Sequence, residues 1–312
     1  MVMRYLGRRL LQIVPVLVGI SLVVFLLVRL IPGDPARAML GTRATPELIA
    51  RLHSQFGLDK PIWVQYLDFL GSVLHGDFGI SFFYQTSIGG LVLARIPLTV
   101  ALLAYAALMS IILALPLALL AAFRRGGVLD QGIRLLFTGS LGLPAFWLGL
   151  LLALILGVNL GLFPVSGAGS GVLDGLWHLT LPAFTIALSI TPIIGRSLRS
   201  SLIDVLRSDF VTTGRAAGLS RRTITLTYVL RNSLVPAVTV LSVNVGWLIG
   251  GTVIVEQVFA LPGLGSLLVT SITTRDYTII QAVTLILALF VVLVNLATDL
   301  VYVALDPRVV LR

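Results

Sequence analysis

Apolar residues along this chain come in long runs separated by shorter polar stretches. Six runs, near residues 10–31, 98–123, 135–157, 179–198, 237–259 and 278–305, are long enough to cross a bilayer; a span needs about 20 apolar residues for a hydrocarbon core of roughly 30 Å. Lipid offers the backbone no hydrogen-bond partner, and none of the runs alternates as a barrel strand does, so each is expected to be helical. Pro15, Pro116, Pro144, Pro182 and Pro192 fall inside runs and predict kinks or breaks. The pattern predicts an all-α, polytopic membrane protein of six transmembrane helices.

Composition agrees. With 57% hydrophobic and 11% charged residues and a mean hydropathy of +1.05, the chain is not a soluble globule, whose charged fraction is about 25%. It has no cysteine, which removes disulfides, thiolate metal sites and thiol nucleophiles. The net charge of +9 resembles a nucleic-acid signal until the arginines are located. They cluster beside apolar runs, where they set topology.

Arg4, Arg8 and Arg9 precede the first run; Arg124, Arg125 and Arg134 lie between the second and third. Seven more, Arg196, Arg199, Arg207, Arg215, Arg221, Arg222 and Arg231, lie between the fourth and fifth, and Arg308 and Arg312 end the chain. An even number of spans places all of these on one side, and the positive-inside rule makes that side, with both termini, cytoplasmic. The first run follows a positive stretch as a signal peptide would. Its length, and the absence of a small-residue cleavage site in Arg29-Leu30-Ile31-Pro32-Gly33, argue for an uncleaved span.

The outer segment between Pro32 and Pro97 carries its own helical signals. Thr45, Pro46 and Glu47 have the chemistry of an N-cap, an N1 proline and a first-turn acid. Leu48, Ile49, Leu52 and Phe56 then form an apolar stripe that ends at Gly57. A second amphipathic stretch, 62–74, carries Trp63 and Tyr66, residues that favour a membrane interface. These helices either lie on the bilayer or cap the bundle, or else they form a rim for an extracytoplasmic partner. The expected division is 1–97, the first transmembrane helix with this segment, and 98–312, a core of five transmembrane helices with a cytoplasmic loop at about 200–235.

Catalytic clusters are missing. The single lysine, Lys60, follows no glycine-rich loop, so the chain has no phosphate-cradling Gly-Lys-Ser/Thr motif. His53, His75 and His178 are scattered, and no His-Glu-x-x-His pair exists to hold a protease zinc. The expectation is a transporter, channel or scaffold rather than an enzyme, with no catalytic residue, metal or cofactor of its own.

The polar stretch 196–236 reads as helix, Gly-Leu-Ser break, helix. Ser208 or Asp209 caps a short helix through Ala217; Gly218 supplies the left-handed residue that ends it; Ser220 caps the next helix, which starts with Arg221. Leu219 is left at the apex, an apolar knob flanked by Arg215, Arg221 and Arg222 that suits a groove on a soluble protein. The same residues also suit an ordinary juxtamembrane hairpin whose arginines only fix topology, and residue chemistry alone leaves both readings open.

The stretch Asp209-Phe210-Val211-Thr212-Thr213-Gly214-Arg215-Ala216-Ala217-Gly218-Leu219-Ser220, with Leu230-Arg231-Asn232-Ser233-Leu234-Val235-Pro236, resembles the coupling loop of the dipeptide/oligopeptide (peptide/nickel) branch of ABC importer permeases. The likeness runs along nearly the whole chain. Arg8-Arg9-Leu10-Leu11-Gln12 through Pro32-Gly33-Asp34-Pro35 is similar to the start of the first, B-type, permease of such systems. So are Phe56-Gly57-Leu58-Asp59-Lys60-Pro61, Gly76-Asp77-Phe78-Gly79, Phe146-Trp147-Leu148-Gly149, Val255-Glu256-Gln257-Val258-Phe259, Pro262-Gly263-Leu264-Gly265, Arg275-Asp276-Tyr277 and Asp306-Pro307-Arg308. In ABC importers generally the loop motif begins Glu-Ala-Ala, where this chain has Thr212, Thr213 and Gly214. The peptide branch is similar in lacking that glutamate, so a glutamate contact to the ATPase does not carry over.

The resemblance implies a type I importer permease fold in a bacterial inner membrane. It implies partners: a second, homologous permease, two ATPase subunits or domains that bind ATP and magnesium, and an extracytoplasmic substrate-binding protein. It assigns coupling to Asp209, Arg215, Ala216, Ala217, Gly218, Leu219, Ser220, Arg221 and Arg222. Cargo of this branch includes dipeptides, oligopeptides, glutathione, nickel complexes and sugars, with peptides the first expectation here. Asn244, Glu256, Asn295 and Asp299 are polar groups in or near spans and are the candidates for a translocation pathway; Glu256 could contact a peptide amine but is read first as solvated, and Asp299 is also readable as snorkelling or paired with an arginine. A channel or ion-coupled transporter, the rival reading, calls for more ionisable groups deep in the spans.

Overall fold

The computed structural model describes residues 2–29, 34–41, 44–55, 57 and 59–305, with the side chains of residues 2–10, 301–305 and a few others outside that description. The pathway candidate Asp299 has its side chain outside it, as do Arg4, Arg8 and Arg9; Arg308 and Arg312 lie wholly outside. In chain order the helices are α1 (Val2–Arg29), α2 (Pro35–Leu40), α3 (Pro46–Gln55), α4 (Ile62–Leu74), α5 (Ile88–Phe123), α6 (Val128–Ser140) and α7 (Ala145–Leu152). They continue as α8 (Gly171–Leu206), α9 (Asp209–Ala216), α10 (Arg221–Thr223), α11 (Leu230–Val243), α12 (Val245–Val258), α13 (Leu264–Thr273) and α14 (Tyr277–Leu305). Two π-helical stretches extend them, Ala153–Asn159 after α7 and Ile224–Val229 after α10. Among the described residues no strand forms; the one β-bridge joins Ile80 and Ser87.

The helices depart from the expected six runs in an instructive way. Among the described residues three are long and apolar enough to cross a bilayer: Ile88–Phe123, Gly171–Leu206 and Tyr277–Thr298. The third run is not one rod, because Val128–Ser140 and Ala145–Asn159 meet at 107°. Pro144, the N-cap of α7, sits at that break. Helix continues through Pro15, Pro116, Pro182 and Pro192, so breaks were not the outcome at these four prolines. The fifth run is interrupted where no proline stands, at Asn244 between α11 and α12. Apolar run length measures the lipid-matched part of a helix, while helical hydrogen bonding goes on past it. That is why α5 begins at Ile88 and α8 ends at Leu206, well outside the expected 98 and 198.

The chain forms two compact units, Met1–Pro97 with Pro262–Val292, and Leu98–Leu261 with Leu293–Arg312. In the first, α4 packs on α1: the Phe25 ring meets Tyr66 edge-on at 5.2 Å and Phe69 at 5.8 Å. The Tyr66 hydroxyl lies 2.9 Å from Ser21 Oγ, and Arg29 donates from Nε to Gln65 Oε1 while its guanidinium covers the Phe25 ring. Thr45 caps α3 through its hydroxyl, which accepts from Leu48 N–H at 3.3 Å, as the sequence signals indicate.

The same unit contains a carboxylate that the sequence shows only as part of the Arg275-Asp276-Tyr277 motif, with no role of its own. Asp276, only 1% exposed, caps α14 by accepting from Ile279 N–H and also accepts from Ser81 Oγ at 2.6 Å and Phe83 N–H at 3.1 Å. One buried acid therefore fixes both a helix start and the loop that precedes α5, its oxygens satisfied by directed donors.

In the second unit α8 is the central post, packed against α6, α7, α11 and α12. Its buried face includes Leu181, Ile186, Ile190, Ile194, Leu198 and Leu202. Two glycines permit close approach. A methyl group at Gly195 would overlap the ring of Phe137 from α6, and one at Gly149 would stand 3.3 Å from both Phe259 and Val258. Leu135, Leu154, Val243 and Trp247 are exposed on this unit.

Candidate functional site

The segment from Ser208 to Val229 lies in the second unit and is organised by local rules. Ser208, in extended conformation, stands at the N-cap of α9, and Asp209 opens its first turn, where an acid complements the helix dipole. At the other end Gly218 takes φ +77°, a conformation that costs other L-residues about 1–2 kcal/mol. Gly218 N–H donates to Arg215 O at 3.0 Å and Leu219 N–H to Gly214 O at 3.1 Å, the paired bonds of a Schellman closure. Ser220 then caps α10, its hydroxyl accepting from Thr223 N–H at 3.1 Å. The helix, break and helix therefore fall where the caps place them in the sequence.

The apex is shaped by the same closure. Because the Schellman closure turns the chain back on α9, Leu219 lies over Gly214, where a methyl group would be 3.5 Å from its Cδ1. Leu219 is still 41% exposed, and it forms one wall of a groove of about 540 Å³ whose other walls include Phe123, Leu206 and Ile224. Arg215 and Arg221 stand at the same groove, and the Arg221 guanidinium covers the Phe123 ring at 5.0 Å. Ala216, Ala217 and Arg222 are exposed around it. A Cβ at Gly214 would meet Leu219 and Ile224 at ordinary van der Waals distance, so this packing does not require glycine.

An ion pair secures the helix that leads into this segment. Arg199, on the last turns of α8, donates from Nε to Asp130 Oδ1 and from Nη2 to Asp130 Oδ2, each at 2.6 Å. Asp130 is 1% exposed and takes a third bond from Gly126 N–H at 2.9 Å. The arrangement is bidentate and saturates the carboxylate, which is the condition under which a buried pair holds.

Among the described pathway candidates, Asn244 and Glu256 lie far apart on one helix. Asn244 sits at the break before α12 and donates from Nδ2 to Val240 O at 2.7 Å. Glu256 is twelve residues further along that helix, about 18 Å at the helical rise, so the two do not share a small ligand. Glu256 is fully buried and accepts from the buried Thr99 hydroxyl at 2.7 Å, which overturns its reading as a solvated acid. Asn295 is half-buried on α14.

Comparison with known proteins places this geometry. Residues 114–311 match the family described as binding-protein-dependent transport system inner membrane component, and residues 2–103 match its N-terminal counterpart. The chain is 37% identical to the oligopeptide transport system permease protein AppB of Bacillus subtilis (strain 168) over 98% of each chain. It is 38% identical to the glutathione transport system permease protein GsiC of Salmonella typhimurium over 98% of this chain and 99% of the other. To the dipeptide transport system permease protein DppB of Escherichia coli (strain K12) it is 34% identical over 98% of each. In fold it is similar to the MetNI methionine ABC transporter in an inward facing conformation, with a TM-score of 0.59 over 69% of this chain and 96% of that one at 18% identity. The chain thus belongs to the permease family of binding-protein-dependent ABC transport systems, multi-pass components of the bacterial inner membrane that carry no ATPase motif of their own.

Proposed function

We propose that this chain is one permease of a heteromeric ABC importer for dipeptides or oligopeptides. A second, homologous permease completes the pore, two ATPase subunits bind ATP and magnesium on the cytoplasmic side, and an extracytoplasmic protein delivers the peptide. The observation that carries this reading is the 34–38% identity, over 98% or more of each chain, to permeases named for oligopeptides, dipeptides and glutathione. Glutathione is itself peptide-like, so transport of it is the second reading that the similarity favours.

In this account six spans place both termini and the segment 200–235 in the cytoplasm. Closure of the ATPases on ATP pushes the segment around Gly218, Leu219 and Ser220, and the two permeases rock between inward and outward access. The capped, short helix α9 and the Asp130–Arg199 pair beneath it suit that role, because a lever needs a stiff arm and an anchored base. Asn244, Asn295 and Asp299 remain the candidates for contact with cargo. Glu256, held by Thr99, acts instead as a fixed buried strut between α5 and α12.

Copurification tests the assembly. A tagged chain extracted from gently solubilised membranes should bring down a homologous permease and an ATPase, and Leu219→Asp should lose the ATPase while still inserting. A chain that supports uptake yet purifies with no ATPase is an ATP-independent transporter or channel.

A further inference from the structure

Along α5 the buried residues Ile88, Val92, Thr99, Leu102 and Ala106 recur at helical spacing and form the face that the helix turns inward. Arg95 falls on that face, one turn before Thr99. Three arginines are partly buried among the described residues, Arg29, Arg95 and Arg199. Arg199 is met by Asp130, and Arg29 by Gln65 and the Phe25 ring. Arg95 has no such partner. Its Nη1 donates to Leu91 O at 3.2 Å, within its own helix, and its buried Nε has no hydrogen-bond acceptor. Among the described residues Arg95 enters no ion pair. A guanidinium drawn into a bundle with its charge unneutralised calls for an anion from outside the chain.

We propose that Arg95 binds the C-terminal carboxylate of the peptide as it enters the membrane, so that the permease reads this group a second time after the delivering protein. The inference rests on the reading of the cargo as a peptide and on the topology that puts the start of α5 on the extracytoplasmic side. A free carboxylate is the anion that unmodified peptides share whatever their length, and the planar fork of a guanidinium matches it. Because Arg95 has no carboxylate of its own, cargo binding breaks no internal ion pair. Its place on the inward face, between Val92 and Thr99, favours cargo over a lipid phosphate as the source of the anion.

The test uses the complete complex, with its binding protein and ATPases, in liposomes. Wild type, Arg95→Lys and Arg95→Met are compared on a labelled tripeptide and on the same tripeptide with a C-terminal amide, each at a concentration that saturates the binding protein. One binding protein serves all three, so its own preference cancels, and a change in the acid-to-amide uptake ratio reports the permease. Arg95→Met should lower acid uptake by about tenfold or more and amide uptake by less than about twofold, with Arg95→Lys between because it keeps the charge and loses the fork. An equal fall for both peptides would make Arg95 a structural group and overturn the proposal, as would an unchanged ratio or a wild type that carries both alike. Loss of the second permease from purified Arg95→Met would assign the guanidinium to a carboxylate of that subunit. Wild-type uptake that follows phosphatidylglycerol content, with the ratio unchanged in Arg95→Met, would assign it to a lipid phosphate, and either result overturns the cargo contact. A wild type that takes up neither peptide on ATP would strike the peptide reading, and this inference with it.

Discussion

Arg199 grips Asp130 with two parallel hydrogen bonds of 2.6 Å across 69 residues of sequence, joining the start of α6 to the end of α8. Removing one member leaves the other buried and unpaired, which costs about 3–5 kcal/mol. Arg199→Met should therefore lower the thermal stability of the purified complex markedly. D130L/R199M, which removes both charges, should recover most of the loss, and a double variant as unstable as the single one would show that the pair is not the source.

Phe137 seats its ring where Gly195 has no side chain. Gly195→Leu should destabilise the α6–α8 contact by about 1–3 kcal/mol through overpacking. Combining it with Phe137→Ala should restore part of the stability, measured as unfolding temperature in detergent.

Gly218 holds the left-handed position that closes α9. Gly218→Val should cost about 1–2 kcal/mol locally and reduce ATP-driven uptake more than membrane insertion, with Gly218→Asn milder because asparagine tolerates that conformation. Equal uptake by the valine and wild-type proteins would remove the geometric requirement.

His53 is raised above its ordinary pKa, chiefly by its 2.8 Å hydrogen bond to Asp34, with Asp59 a further 3.6 Å contact. A raised histidine stabilises the folded segment fully below its unfolded pKa near 6.5. That contribution fades as pH rises through the higher folded value. Limited proteolysis of the 34–60 segment should accordingly quicken from mildly acidic to alkaline pH, and His53→Ala should flatten the profile.

What could be read in the sequence was local. The Ser220 cap, Gly218 and the Thr45–Pro46–Glu47 start are rules that act within four residues, and the structure follows them, whereas Ser208 stands at the N-cap of α9 with its hydroxyl donating back to Val205 O and makes no side-chain cap bond. The Pro144 break was legible for the same reason. The partners of charged groups were not, because Glu256 meets Thr99 across 157 residues and Asp276 meets Ser81 across 195. Periodicity carries no information about such pairs. The break at Asn244 escaped because asparagine in an apolar run has no obligatory backbone consequence, unlike proline. The turn at Gly218 was legible, but the packing of Leu219 on Gly214 was not, because a capping glycine fixes the backbone and not the contacts of the side chain that follows it.

The most direct test of the account is uptake of labelled di-, tri- and pentapeptides, and of nickel, in cells with and without this gene and with ATP depleted. Peptide uptake that disappears both without the gene and without ATP is the predicted result, and the lengths accepted would define the cargo. Uptake that requires the gene but survives ATP depletion would contradict the importer, and loss of nickel uptake alone would contradict the peptide cargo.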